Sequence, residues 1–269
     1  MCKVIAVCGY KGGVAKTTSA VNIGIGMADM GKKVLLIDMD AQGDMTKSLG
    51  VDNPEKLDKT IAEAIAASAE LDEDDPGSFD PEIWIMHNEE GVDFVPANNR
   101  LAAVEKQLVG EDGGDSILKI YVDSLRDDYD YIILDSKPAM VTLAANVLVA
   151  ADTVIIPVLC EYLPLTDVDA AIRTVNKIRQ RRNHNLKIDG LFLTMVDDRT
   201  TLSKEIEKGI HQCIEEKWNG KASLYKTRIP RSVRVAEAPL LGVSLYRHDP
   251  KGKATKAYRD LTREVLANG

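Results

Sequence analysis

The chain has 269 residues, 45% of them hydrophobic and 28% charged, a balance that suits an ordinary globular protein with one large core or two small ones. Lysine and arginine total 34 against 42 acidic residues, so the net charge of −8 excludes a global attraction to nucleic acid or anionic lipid and leaves such binding to local patches. The four cysteines, Cys2, Cys8, Cys160 and Cys213, are too far apart for a C-x-x-C motif, and no window approaches the roughly eighteen apolar residues of a membrane span, so reduced thiols in a cytoplasmic protein are expected.

In chain order, "KVIAVCG" reads as a strand ending in a glycine-rich turn, "TTSAVNIGIGMADMGK" as a helix closing at Gly31, and "KVLLIDMD" as a second strand, which together make a βαβ unit. The helix "TIAEAIAASAE" leads into an acidic, proline-containing stretch at residues 70–82, read as a surface loop. Further apolar runs at 130–135, 152–158 and 188–196 have the near-continuous hydrophobicity of strands covered on both faces. Helical patterns separate and follow them, the last from Thr255 to Leu266. The expected fold class is therefore α/β, a doubly wound, mainly parallel sheet with helices on both faces, in a single domain of residues 1–269.

The turn "GYKGGVAKTTS" at residues 9–19 is a departure from the phosphate-loop pattern G-x-x-x-x-G-K-[ST], because Tyr10 and Ala15 stand at the two glycine positions. Its physics is retained. Gly12 and Gly13 let backbone N–H groups turn inward, the loop feeds a helix N-terminus, Lys16 can reach β and γ phosphates, and Thr17 can hold Mg²⁺. A glycine turn with incidental lysines is the weaker alternative, since strand, loop, Lys-Thr-Thr and helix occur in order. Downstream, "LLIDMDAQGD" places Asp38 and Asp40 at a strand end, where a carboxylate can orient water; Asp38 is either an outer-shell magnesium contact or a helix cap. "YIILDSKPAM" supplies Asp135 in a Walker B arrangement, near the metal directly or through water. His87, His184, His211 and His248 lack metal-ligand spacing.

The sequence K-G-G-x-x-K-T-T resembles the deviant Walker A signature of the ParA/MinD superfamily of ATPases. "VIIPVLCEY", "LFLTMVDDRTTL", "TRIPRSVRVAEAP" and the basic last helix extend the resemblance almost end to end, toward Soj-type partition ATPases. The resemblance implies an ATP- and Mg²⁺-dependent ATPase whose loop, Lys11, Gly12, Gly13, Val14, Ala15, Lys16, Thr17 and Thr18, cradles the nucleotide. It implies that Lys11 reaches the partner subunit's nucleotide in an ATP-sandwich homodimer, acting with Lys16 and with Asp40, which polarises the attacking water. Thr17, Asp40 and Asp135 would surround the metal, and Pro230 and Arg231 would border the adenine. Arg199 and Arg234 would contribute to sequence-independent DNA binding, with release triggered by a ParB-like centromere-binding protein, so that the ATP-bound form is nucleoid-associated. By themselves, exposed arginines are ordinarily solvated or salt-bridged. Basic residues at 179–184 and along the last helix would at most extend that patch.

Two departures stand out: Ala41 replaces the proline of D-x-D-P-Q-G, and Lys137 replaces the first proline after the Walker B aspartate. Lys137 either faces the nucleotide or dimer seam, or is a solvated loop lysine. A MinD-like membrane-cycling ATPase is one alternative, disfavoured because the ending "AYRDLTREVLANG" is short of bulky apolar residues. An ATP-dependent regulator of a mobile element with negligible turnover is another. An iron-sulfur reductase is disfavoured by the positions of Cys160 and Cys213.

Overall fold

The computed structural model describes residues 2–71, 79–111, 113–136, 142–160, 164–197, 199–218 and 222–268. Lys137 and the centre of the acidic stretch, residues 72–78, lie outside the described residues. One sheet organises the chain. Its strands are β1 (Lys3–Val7), β2 (Val34–Met39), β3 (Met86–His87), β4 (Asp93–Val95), β5 (Tyr131–Ser136), β6 (Thr153–Leu159), β7 (Lys187–Val196) and β8 (Leu224–Pro230). They lie in the order β3-β4-β2-β5-β1-β6-β7-β8, parallel throughout except that the short edge strand β3 runs antiparallel to β4.

Alternation along the strands sorts side chains into two cores. Val4, Ala6, Leu35, Ile37, Ile132 and Leu134 point to one face. There they meet helices α3 (Ile61–Ala69), α4 (Leu101–Leu108), α5 (Ile117–Ser124), α6 (Thr142–Ala150), α7 (Pro164–Arg181) and α8 (Thr201–Glu216). Ile5, Val7, Leu36, Ile133 and Phe192 point to the other. That face is covered by α1 (Lys16–Asp29), α2 (Asp44–Ser48), α9 (Val233–Leu240), α10 (Leu245–His248) and α11 (Lys253–Ala267). Helices on both faces explain the uninterrupted apolar runs of the inner strands. The doubly wound, mainly parallel sheet expected from the sequence is the fold observed.

Because α1 is buried against both the sheet and the C-terminal helices, it has no room for side chains at two positions. A Cβ at Gly24 would lie 2.5 Å from Leu36 Cδ2, and one at Gly26 would lie 2.3 Å from Tyr246 Oη. These glycines cost helix propensity, on the order of 1 kcal/mol each, and in return let α1 lie close to its neighbours. The packing fixes where the helix N-terminus points, at the C-terminal end of the central strand β1, beside a switch point between β5 and β6.

Candidate nucleotide site

Residues 8–15 join β1 to α1, and the loop closes on itself: the buried Lys16 ammonium donates to the Lys11 carbonyl oxygen at 2.9 Å. Burial lowers the Lys16 pKa, with the carboxylates of Asp135 and Asp40 opposing that effect. Lys11 itself is exposed on the outer side of the loop. The two lysines thus occupy different environments. One is buried and the other is exposed.

Helix α1 begins with no side-chain cap and no acidic residue in its first turn. Its first N–H groups are therefore available to an anion, and the helix dipole favours one there. Ala15 occupies the N-cap position with φ 69° and ψ 32°, the left-handed region, so the backbone turn that the usual glycine permits is made here by a residue with a Cβ.

Asp135, at the end of β5, is almost completely buried beside Thr17 and Lys16. Desolvation raises its pKa well above the ordinary carboxylate value; the nearby Asp38 charge adds to this, while the Thr17 hydrogen bond and Lys16 oppose it. Its Oδ1 is buried with no hydrogen-bond partner among the described residues. A buried carboxylate oxygen with no partner, next to a threonine hydroxyl at a helix N-terminus, is a donor set suited to a hard divalent cation. Thr17 and Asp135 thus fit Mg²⁺. Asp40 sits across the site, partly exposed, with Oδ1 accepting from Gln42 N–H at 3.0 Å.

Asp38 has a different role from its neighbour. It is fully buried, and it accepts from Asp40 N–H at 3.1 Å, Thr46 N–H at 3.0 Å and the Thr46 hydroxyl at 2.7 Å. It thereby caps the first turn of α2 from the sheet through the Thr46 N–H, the helix-capping alternative of the two. Burial pushes its pKa up to about 6 despite those three donors.

Beside the start of α1 a cleft of about 370 Å³ is lined by Thr18, Met195, Pro230, Arg231, Val235 and Tyr258 among others. Pro230 and Arg231 therefore lie beside the loop that carries Lys16, although more than 200 residues separate them in sequence. The cleft opens where β7 and β8 fall out of register between Leu193 and Val196. Met195, in the gap, is left-handed at φ 53°, a conformation that costs a bulky residue on the order of 1–3 kcal/mol. Tyr258 reaches the cleft from α11 and shares a buried hydrogen bond with Ser19 of α1 at 3.1 Å. Neither Met195 nor Tyr258 was marked by a local sequence signal.

Arg199 is 89% exposed, and its guanidinium meets Asp197 through Nε at 2.8 Å and Nη2 at 2.7 Å, which pulls the Asp197 pKa down to about 2. Arg234, on α9, pairs with Glu237 at 2.8 Å, and Glu237 also meets His248. Both arginines are on the surface, each beside a carboxylate. Among the described residues no cluster of three metal-ligating side chains of the His, Cys, Asp and Glu types occurs. All four cysteines are free thiols, and burial pushes Cys2 and Cys8 up to about 11.

A family model described as an AAA domain matches residues 2–188. Over all 269 residues and the full length of the relative, the chain is 36% identical to the sporulation initiation inhibitor protein Soj of Bacillus subtilis (strain 168). It is 33% identical to the chromosome partitioning protein ParA of Myxococcus xanthus (strain DK1622), over 98% of this chain and 88% of that one. Among solved structures, cobyrinic acid a,c-diamide synthase from Mycobacterium smegmatis with bound ADP and magnesium is similar at a TM-score of 0.82 and 32% identity, covering 99% of this chain and 94% of that one.

Proposed function

The chain belongs to the ParA/MinD superfamily of P-loop ATPases, in its Soj/ParA branch, and from that premise we propose that it is a DNA-partitioning ATPase working as an ATP-dependent homodimer. It is an ATPase, with ATP and Mg²⁺ as its cofactors. The proposed enzyme is one ATPase domain of residues 1–269, cytoplasmic, and on the nucleoid when ATP-bound.

In this reading the N–H groups of residues 11–18 and the Lys16 ammonium hold the phosphates, while Pro230 and Arg231 border the base. Thr17 and Asp135 hold the metal, with Asp40 beside them; when bound, the metal neutralises charge that develops on the transferred phosphoryl group. Asp40 orients the attacking water. Lys11 is directed at the nucleotide of a facing subunit, adding positive charge at the γ-phosphate only in the dimer, as an arginine finger does in trans. Loss of that phosphate withdraws contacts from both subunits at once.

The observation that carries the reading is the division between Lys16, buried in the loop, and Lys11, exposed outside it. Arg199 and Arg234 are the proposed contacts to DNA phosphates. Their carboxylate partners are exposed or rim pairs, which are worth little in water, so phosphates can displace them. The proposed partner is a ParB-like centromere-binding protein that stimulates hydrolysis and so releases the DNA.

The membrane-cycling alternative loses support from α11. Its apolar residues Ala254, Tyr258, Leu261 and Val265 are buried in the core and so are not presented to a bilayer. No helix of the described residues is long and apolar enough to cross a membrane.

The test is chromatographic sizing of the protein with ATP, ADP or no nucleotide, alongside phosphate release with and without duplex DNA. ATP-dependent dimers that bind duplex and turn over ATP support the reading. A monomer in all three states overturns it, and ATP-dependent binding without measurable turnover favours the regulator.

A further inference from the structure

Asp38, near the end of β2, and Asp40, just beyond it, lie two residues apart, and only the second is partly exposed. The first is 0% exposed. A buried carboxylate is costly unless it has several donors, and Asp38 has three, drawn from two different segments of chain. Oδ1 accepts the N–H of Asp40 at 3.1 Å, and Oδ2 accepts both the N–H and the hydroxyl of Thr46, at 3.0 and 2.7 Å. The Thr46 hydroxyl oxygen in turn accepts Ala97 N–H at 2.9 Å, just beyond β4. The turn between them is closed by Gly43 N–H on the Asp40 carbonyl at 2.9 Å, and the Asp40 carboxylate is held by Gln42 N–H at 3.0 Å. Residues 40–46 are therefore clipped at both ends to one buried carboxylate, and that carboxylate is anchored in the sheet with Asp135 as its register partner on β5.

We propose that Asp38 is a positioning residue for hydrolysis: by gripping the Asp40 backbone and the start of α2 together, it fixes where the Asp40 carboxylate stands. The inference rests on the reading of Asp40 as the water-orienting group. A carboxylate is the side chain that does this, because it accepts at both oxygens and donates at neither. An amide of the same shape must turn its NH₂ toward Asp40 N–H or toward the two donors of Thr46, and one end of the clip opens.

The experiment uses the full chain with Asp38→Asn, Asp40→Ala, the double variant, and Thr46→Val beside Thr46→Ser. Steady-state ATP hydrolysis is read as kcat and KM. Amide hydrogen exchange over residues 38–48 is read without nucleotide. For Asp38→Asn the expected result is a kcat lowered at least about tenfold with KM within about twofold, the pattern of an interaction needed in the transition state rather than for binding. Faster exchange at the Asp40 and Thr46 amides accompanies it. The double variant is expected to be no slower than Asp40→Ala alone, because Asp38 acts through Asp40. If Asp38→Asn does not fold, Thr46→Val replaces it, with Thr46→Ser expected to retain more turnover. Wild-type kcat in Asp38→Asn, or a multiplicative loss in the double variant, overturns the proposal. Normal turnover by Asp40→Ala instead overturns the reading of Asp40, a result separable from the exchange measurement, which reports the clip itself.

Discussion

The Lys16 ammonium donates to the carbonyl oxygen of Lys11 at 2.9 Å. One lysine of the pair thereby holds the backbone of the other, and the Lys11 side chain is left on the outside of the loop. The two are expected to fail differently when removed. Lys16→Ala loses ATP binding, by about a hundredfold or more, since both the phosphate cation and the loop clasp disappear. Lys11→Ala binds ATP but stays monomeric. Equilibrium nucleotide binding with chromatographic sizing checks both, and a Lys11→Ala protein that dimerises and hydrolyses ATP normally removes the trans role.

Asp40→Ala leaves the phosphate cradle and the exposed Lys11 intact while removing the water-orienting carboxylate. ATP-dependent dimerisation is expected to persist, with turnover down by at least about a hundredfold. Phosphate release measured on the dimer decides it, and near-normal hydrolysis contradicts the assignment.

Ala15 holds a left-handed conformation at φ 69°. Ala15→Gly relieves a strain of about 1–2 kcal/mol against an unfolded-state entropy cost of about 0.5–1 kcal/mol. A small rise in Tm is expected, whereas Ala15→Val, with a branched Cβ, lowers Tm by several degrees. Calorimetry of the nucleotide-free proteins separates the outcomes, and a Tm for Ala15→Val equal to wild type excludes strain at this residue.

Asp135 is a buried carboxylate whose pKa is raised well above 3.8, chiefly by desolvation. A raised carboxyl binds its proton more tightly in the folded state, so its contribution to stability is complete below about pH 4 and is lost as pH rises through the folded value. Asp135→Asn, which cannot ionise, is therefore expected to be more stable than wild type at pH 7, with the difference closing toward pH 4. Mg²⁺-dependent hydrolysis is lost in the same variant. Urea unfolding at several pH values without nucleotide checks the stability, and a gap that widens at low pH contradicts the sign.

DNA binding by a protein of net charge −8 depends on local patches. The affinity of the ATP-bound form is expected to fall by ~0.9 log unit per log unit of salt for each phosphate neutralised. Arg199→Ala and Arg234→Ala each flatten that slope and weaken binding to every duplex alike, without altering dimerisation. Screening over ~8 Å at physiological salt limits how far the chain's excess of acidic residues can offset the two arginines. A salt titration with ATP, ADP and no nucleotide tests this, and equal affinity in all three states contradicts a nucleotide-gated DNA carrier.

Features that depend on neighbours along the chain are legible in the residues themselves. The βαβ unit, the glycine-rich loop with Lys11 and Lys16, and the carboxylates at the ends of β2 and β5 follow from apolar periodicity and from residue types at short spacing. The short pieces are not legible there: β3 and β4 have two and three residues, too few for a period to register, and β4 exists because β2 offers it an edge, β3 because β4 does. The capping by Asp38 is visible only in the folded chain, because its Oδ2 donors come from Thr46, eight residues on, at a distance set by the bend of the chain over the sheet. The same holds for Tyr258, which reaches Ser19 across 239 residues and lines the cleft beside Pro230. It holds equally for Met195, whose left-handed backbone arises where β7 and β8 slip out of register. Burial, like-charge proximity and strand register are properties of the folded chain. They turned a pattern of aspartates into one capping group, one buried metal-site candidate and one half-buried carboxylate whose charge acts on Lys16 and Asp135.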